Sequence, residues 1–238
     1  MELSPSRDTG LDGLLREQIA YYRARAAEYD EWIFRKGRYD YGPAENAQWF
    51  AEFEEVEAAL ARFAPTGRVL EFAGGTGYWT ERLARHADTV TVVDASPEML
   101  ALNQARVGAT NVRYVQSDIF AFEPDGPYDV VFFGFWLSHV PTERFAPFWD
   151  LVRRCLGPNG RVFFVDSRPN PHSTARDQPL PVTESKTMLR RLNDGREFHV
   201  VKVFYEPQEL EARLATLGWD IEAKTTENHC LYGGGRRK

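Results

Sequence analysis

Residues Val69-Leu-Glu71-Phe-Ala73-Gly-Gly75-Thr-Gly77-Tyr-Trp-Thr80 constrain the fold more than any other stretch of this 238-residue chain. A run of strand-forming residues enters a glycine-rich turn and leaves it in a helix-forming segment. Glycines at such a turn let a ligand approach the backbone more closely than a Cβ permits. Two ligand classes compete for the loop: a dinucleotide, and a single nucleoside without phosphates. The dinucleotide fingerprint needs another glycine three residues after its second. Counting from Gly75 and Gly77, that place is Thr80, so the pyrophosphate reading loses its packing glycine.

The surrounding chain supplies the sheet such a loop requires. Strand signals fall at Arg68 to Phe72, Thr89 to Val93, Val112 to Val115, Tyr128 to Phe133 and Arg161 to Val165. Each is rich in Val, Phe or Tyr, as strands buried on both faces are. Tyr78 to Arg85, Pro97 to Arg106 and Phe145 to Leu156 read as the intervening helices. Ser96-Pro97-Glu98 is a helix start with a capping hydroxyl, Pro at the first position and an acid in the first turn. Gly157-Pro158-Asn159-Gly160 stops the last helix and turns the chain into the next strand.

Helices are expected before this core at Leu14 to Arg35, which carries Tyr21, Tyr22, Tyr29 and Trp32, and at Asn46 to Phe63. After it, Ser167 to Thr183 reads as a Pro-rich irregular loop. Lys186 to Leu192 and Glu197 to Phe204 read as a hairpin around Asn193-Asp-Gly-Arg196. A helix at Glu209 to Leu217 and a closing strand at Ile221 to Thr226 follow. The basic cluster Arg236-Arg237-Lys238, which follows Gly233-Gly-Gly235, reads as a frayed tail rather than a binding patch.

Asp94 ends the second strand, where an acid can take both hydroxyls of a ribose. Glu71, Gly75, Gly77, Asp94 and Asp118 all fall at or beyond the carboxyl ends of successive parallel strands, the edge where open α/β sheets bind ligands. In order and spacing, the segment Val69 to Val165 resembles the class I S-adenosylmethionine-dependent methyltransferases. Glu71 to Gly77 is similar to that family's acidic glycine loop, Asp94 to its ribose-binding acid, Asp118-Ile119 to the pair at the adenine edge, and Leu156 to Gly160 to its turn before the fifth strand. Ala73 departs from the pattern, standing where the family has the first glycine of the loop. Tyr21 to Trp32 resembles the lid helix of small-molecule members.

The resemblance implies a doubly wound, mostly parallel seven-stranded α/β sheet with helices on both faces and an N-terminal helical lid. It implies one domain over residues 1–238: lid and docking helices at 1–66, cofactor core at 67–166, and loop, hairpin, helix and strand at 167–238. The expected cofactor is S-adenosylmethionine, bound by Glu71, Ala73, Gly75, Gly77, Asp94, Ala95, Met99, Asp118, Ile119 and Phe135, with Glu71 accepting bonds from loop amides and Met99 covering one adenine face. A sulfonium favours aromatic faces, so Tyr22, Tyr29, Phe135 and Trp136 are candidates to wall it in. Tyr22, Tyr29, Trp136 and His139 are the candidate substrate residues. His139 follows the fourth strand at the ligand edge and is the candidate catalytic base. His86 reads as a solvated surface residue, and His172 has no evident partner.

Composition narrows the acceptor. The formal net charge of -6 argues against nucleic acid, whose binding relies on clustered Lys and Arg. No run is long and apolar enough for a membrane span, and no signal peptide is evident. Cys155 and Cys230 match no metal or disulfide spacing, which fits a reduced cytoplasmic setting. The expected activity is methyl transfer to an O, N, S or C atom of a small molecule. The alternatives are a cofactor-binding module without turnover and a nicotinamide-dependent oxidoreductase. The latter lacks its signature, since no tyrosine here has lysine four residues on.

Overall fold

Strand order reverses beside the glycine loop, and that reversal positions everything else. The computed structural model describes residues 10–178 and 185–238. The chain opens with α1 (Gly10–Arg25), a 3₁₀ turn at Ala26–Glu28, α2 (Tyr29–Ile33) and α3 (Pro43–Phe63). It continues through β1 (Arg68–Phe72), α4 (Tyr78–Ala84), β2 (Thr89–Asp94), α5 (Pro97–Val107), β3 (Val112–Gln116), β4 (Tyr128–Gly134), α6 (Phe145–Cys155) and β5 (Leu156–Ser167). The hairpin β6 (Thr187–Arg191) and β7 (Glu197–Val201) forms its own two-stranded sheet, followed by α7 (Pro207–Thr216), β8 (Trp219–Thr225) and β9 (Cys230–Arg237). The main sheet has seven strands in the order β3-β2-β1-β4-β5-β9-β8; the first five are parallel, and β9 runs antiparallel to both its neighbours. The chain builds outward from β1 on one side and then returns to add β4 on the other. A crevice therefore opens above the β1 and β4 ends.

Side chains alternate across the sheet, so one face of β4 contributes Val131 and Phe133 and the other Val130 and Phe132. The first pair joins Leu70, Phe72, Phe148, Trp149, Phe164 and Trp219 in one fully buried cluster. The second joins Trp49, Phe53, Val56, Val69, Val92 and Phe163 in the other. This two-sided burial is what fixes a parallel sheet with helices on both faces.

Several expectations are corrected. The helix read from Leu14 to Arg35 is broken at Ala26–Glu28. Tertiary packing overrides propensity there: α1 lies on β7, whereas Trp32 turns onto α3, its ring 5.2 Å from that of Trp49. The supposed frayed tail is β9, an interior strand between β5 and β8. Its glycines weaken the strand signal, yet the packing demands them: a Cβ on Gly235 would lie 1.9 Å from the Asp220 carbonyl oxygen. The strand read as closing is consequently an edge strand, β8. The Gly157–Gly160 turn is absorbed into β5 as an irregularity, with Tyr128 opposite Leu156 and Val130 already opposite Arg161. In the Pro-rich segment, Ser167 ends β5 and Pro171–Ser173 forms a 3₁₀ turn; residues 179–184 lie outside the described residues. Among the described residues no helix is long and apolar enough to cross a membrane.

Candidate functional site

The glycine loop is held from behind by side chains. Asn103 of α5 donates through Nδ2 to the carbonyls of Gly74 (3.1 Å) and Gly75 (3.3 Å) and to Thr80 Oγ1 (2.7 Å). The Tyr114 hydroxyl donates to Asn103 Oδ1 at 3.1 Å, and Thr80 donates to Glu71 Oε2 at 2.6 Å. Glu71 thus bonds a hydroxyl rather than the loop amides expected of it, and it sits beneath the loop, 1% exposed. Burial pushes its carboxyl up to about 8. Thr80, read only as a missing glycine, is a working part of this scaffold. Asn103 carried no sequence signal.

Ala73 does stand at the first loop position, with φ +55, and it lines the cleft. Asp94 closes the loop from the other side. Its Oδ2 accepts from the Gly75 amide (3.0 Å) and its Oδ1 from the Ser96 amide (2.9 Å). Each carboxylate oxygen has a lone pair beyond the one its amide bond uses, and Asp94 lines the cleft. Burial raises its pKa above the ordinary carboxylate value and the amide bonds oppose the shift. Asp118 Oδ1 accepts from the Phe120 amide at 2.9 Å, capping the turn that carries Ile119.

These groups line one cleft of about 760 Å³, which also takes in Ala95, Met99, Trp136, Tyr22 and Tyr29. Of the expected cofactor residues, all but Glu71 and Gly77 line it. Gly77 instead packs against Asn103. Trp136 lies beside Phe120 in this cleft, ring centroids 6.1 Å apart.

A second chamber of about 410 Å³ adjoins the first. Tyr22, Tyr29, Phe135 and His139 belong to both walls, and the second adds Arg25, Ser167, Arg190 and Lys202 among others; Trp136 does not reach it. His139 is 5% exposed, and its tautomer follows from its partners. Nδ1–H donates to the Val201 carbonyl at 2.7 Å, so Nε2 is bare and accepts from the Tyr22 hydroxyl at 2.8 Å. Burial, and then Lys202, hold the imidazole well below its ordinary 6.5 and therefore neutral near pH 7.

Gln18 of α1 stitches the roof together, donating to the His139 carbonyl at 3.2 Å and accepting from the Val201 amide at 3.0 Å. Asp30 of α2 pins the lid to the loop, accepting from Thr76 Oγ1 at 2.5 Å and pairing with Arg106. Neither residue was singled out by sequence. His86 is exposed as expected, whereas His172 does have a partner, Glu45 Oε2 at 2.7 Å.

Comparison with known proteins follows the same outline. Residues 69–160 match the family described as Methyltransferase domain. The DhpI-SAH complex superimposes with a TM-score of 0.74 at 40% identity, covering 94% of this chain and 97% of that one. The DhpI-SAM-HEP complex gives 0.75 at 39% identity, covering 98% and 100%. The ubiquinone biosynthesis O-methyltransferase of Cronobacter sakazakii is 31% identical over 171 residues, which are 69% of this chain and 63% of that protein. The matched stretch is thus under two thirds of that relative's length.

Proposed function

Because this chain belongs to the S-adenosylmethionine-dependent methyltransferases of class I fold, we propose that it methylates a small molecule held in the second chamber. One observation carries the reading: cofactor cleft and second chamber share the wall of Tyr22, Tyr29, Phe135 and His139. A group donated from one side of that wall meets an acceptor on the other. A structure of DhpI, which this chain resembles, is a complex with SAM and HEP, and that supports a place for a second ligand beside the cofactor here.

Asp94 is the group we assign to the ribose, since both its oxygens retain lone pairs after their amide bonds. Asp118 and Ile119 are assigned to the adenine edge, Met99 and Ala95 to its face, and Ala73, Gly75 and Phe135 to the methionine end. Gly77 and Glu71 act indirectly, by shaping the loop. When bound, the cofactor supplies an activated methyl: the acceptor's lone pair bonds to that carbon while the carbon–sulfur pair returns to sulfur. The chain's task is alignment and exclusion of water. Tyr22 and Tyr29 present aromatic faces that favour the sulfonium charge. We assign His139 Nε2 as the atom that takes the proton of an acceptor hydroxyl once the Tyr22 hydroxyl yields its place. Within one domain we assign the helices of residues 10–66 as lid and docking helices and the described residues 167–178 and 185–204 as acceptor wall, and two buried free thiols, Cys155 and Cys230, suit a cytoplasmic setting.

Asp94→Ala is the test of the cofactor placement. S-adenosylhomocysteine binding should weaken by about 1–3 kcal/mol in calorimetry, because two hydroxyls lose a charged acceptor. Parental affinity in the variant would remove Asp94 from the ribose.

A further inference from the structure

The second chamber has a charge of its own, opposite in sign to the chain's formal -6. Arg25 from the end of α1, Arg190 from β6 and Lys202 just beyond β7 all line it, and no Asp or Glu does so among the described residues. Arg25 is 8% exposed and makes no ion pair with the described residues. It stands among the rings of Tyr21, Tyr29 and Tyr39, 4.8 Å from the Tyr29 centroid, and donates through Nη2 to the Tyr39 hydroxyl at 3.1 Å. Its Nε has no acceptor among the described residues. A guanidinium cannot shed its proton, so the charge persists and its burial is unfavourable until something compensates it.

The other two cations are only partly satisfied. Arg190 Nη1 donates to Thr174 Oγ1 (2.6 Å) and Gln178 Oε1 (2.9 Å), both neutral acceptors. Lys202, 5% exposed, donates to Ser138 Oγ (2.8 Å) and Ser167 Oγ (2.5 Å), with Asp166 Oδ1 at 3.7 Å. Asp166 therefore offsets one of the three charges. Two remain, converging on empty space beside the shared wall.

We propose that the acceptor carries an oxyanion group, a carboxylate, phosphate or phosphonate, anchored by Arg25, Arg190 and Lys202; this rests on the reading of the second chamber as the acceptor site. The planar fork of each arginine matches two oxygens of such a group, and the ammonium supplies a point charge. A cationic ammonium compound without an oxyanion is disfavoured there by like-charge repulsion, which makes the cluster a selector as well as an anchor. A further lobe of about 590 Å³ shares Ser167, Ser173, Arg190 and Lys202 and is lined beyond them by Arg168, Asn170 and Phe204. It gives the remainder of an anchored acceptor somewhere to lie.

The test is calorimetry on the protein saturated with S-adenosylhomocysteine, at constant ionic strength, with methylphosphonate, inorganic phosphate and acetate as oxyanions and acetamide and methylammonium as controls. At least one oxyanion binds and the controls do not; the tighter of the phosphorus and carbon acids identifies the source. Arg25→Gln and Arg190→Gln each weaken that binding at least about tenfold, while S-adenosylhomocysteine affinity stays within about twofold and reports that the variant is folded. Arg25→Lys, which keeps the charge but not the fork, falls between. The proposal is overturned if no oxyanion binds a complex that forms normally, or if both glutamine variants bind it like the parent. Failure of S-adenosylhomocysteine itself to bind would instead overturn the methyltransferase reading.

Discussion

His139→Ala is expected to lower kcat/KM for methyl transfer by about a hundredfold or more, the scale of a lost general base. The residue is neutral by construction. Its Nδ1–H is committed to the Val201 carbonyl, burial and the nearby Lys202 charge oppose protonation, and the lone pair at Nε2 faces Tyr22. A base whose folded pKa lies well below 6.5 is fully available at neutral pH. The parental rate should therefore rise with pH only in the acid range, through that lowered value, and be flat across neutrality. In His139→Ala that acid limb disappears and the rate follows the acceptor's own ionisation. The pH–rate profiles of parent and variant check this. A fall in rate with the profile's shape unchanged would remove His139 as the base and leave it as the residue that holds Tyr22.

The second large effect concerns the loop's support. Gly77 has φ +93, and a Cβ there would lie 2.8 Å from Asn103 Cγ and Oδ1 and 3.1 Å from its Cα. Gly77→Val places a β-branched residue in the left-handed region, which alone costs about 1–2 kcal/mol. It also displaces the amide that binds both loop carbonyls and Thr80. We expect a lowered urea midpoint and S-adenosylhomocysteine affinity reduced by about a hundredfold, two consequences of moving one carboxamide. Calorimetry and denaturation measured together test it. A variant with parental affinity would mean that Asn103 does not shape the site.

How much of this was legible in the sequence depended on distance along the chain. The lining of the cleft was readable because Ala73, Gly75, Asp118 and Phe135 follow parallel strands and Asp94 ends one, and strand ends are local signals that topology brings to one edge. Glu71 was picked from the motif as a cofactor residue accepting loop amides, yet it lies beneath the loop and accepts from Thr80, a hydroxyl one helix turn beyond the glycines. Asn103 and Gln18 were invisible: each is an ordinary amide on a helix, and only packing puts one behind the loop and the other between His139 and Val201. The cation cluster was hidden for the same reason. Arg25, Arg190 and Lys202 look like surface residues until α1 and the hairpin close over the wall. Strand β9 was missed because its glycines carry no strand propensity, although close contact with β8 requires them.

The account turns on where a methyl group goes. The protein should be incubated with methyl-labelled S-adenosylmethionine and a cell extract, and the products separated by size and then by anion exchange. Label is predicted in a small molecule retained as an anion, and reduced at sub-saturating cofactor when Asp94→Ala replaces the parent. Label recovered on protein or nucleic acid, or none transferred by a chain that binds S-adenosylhomocysteine normally, would contradict it.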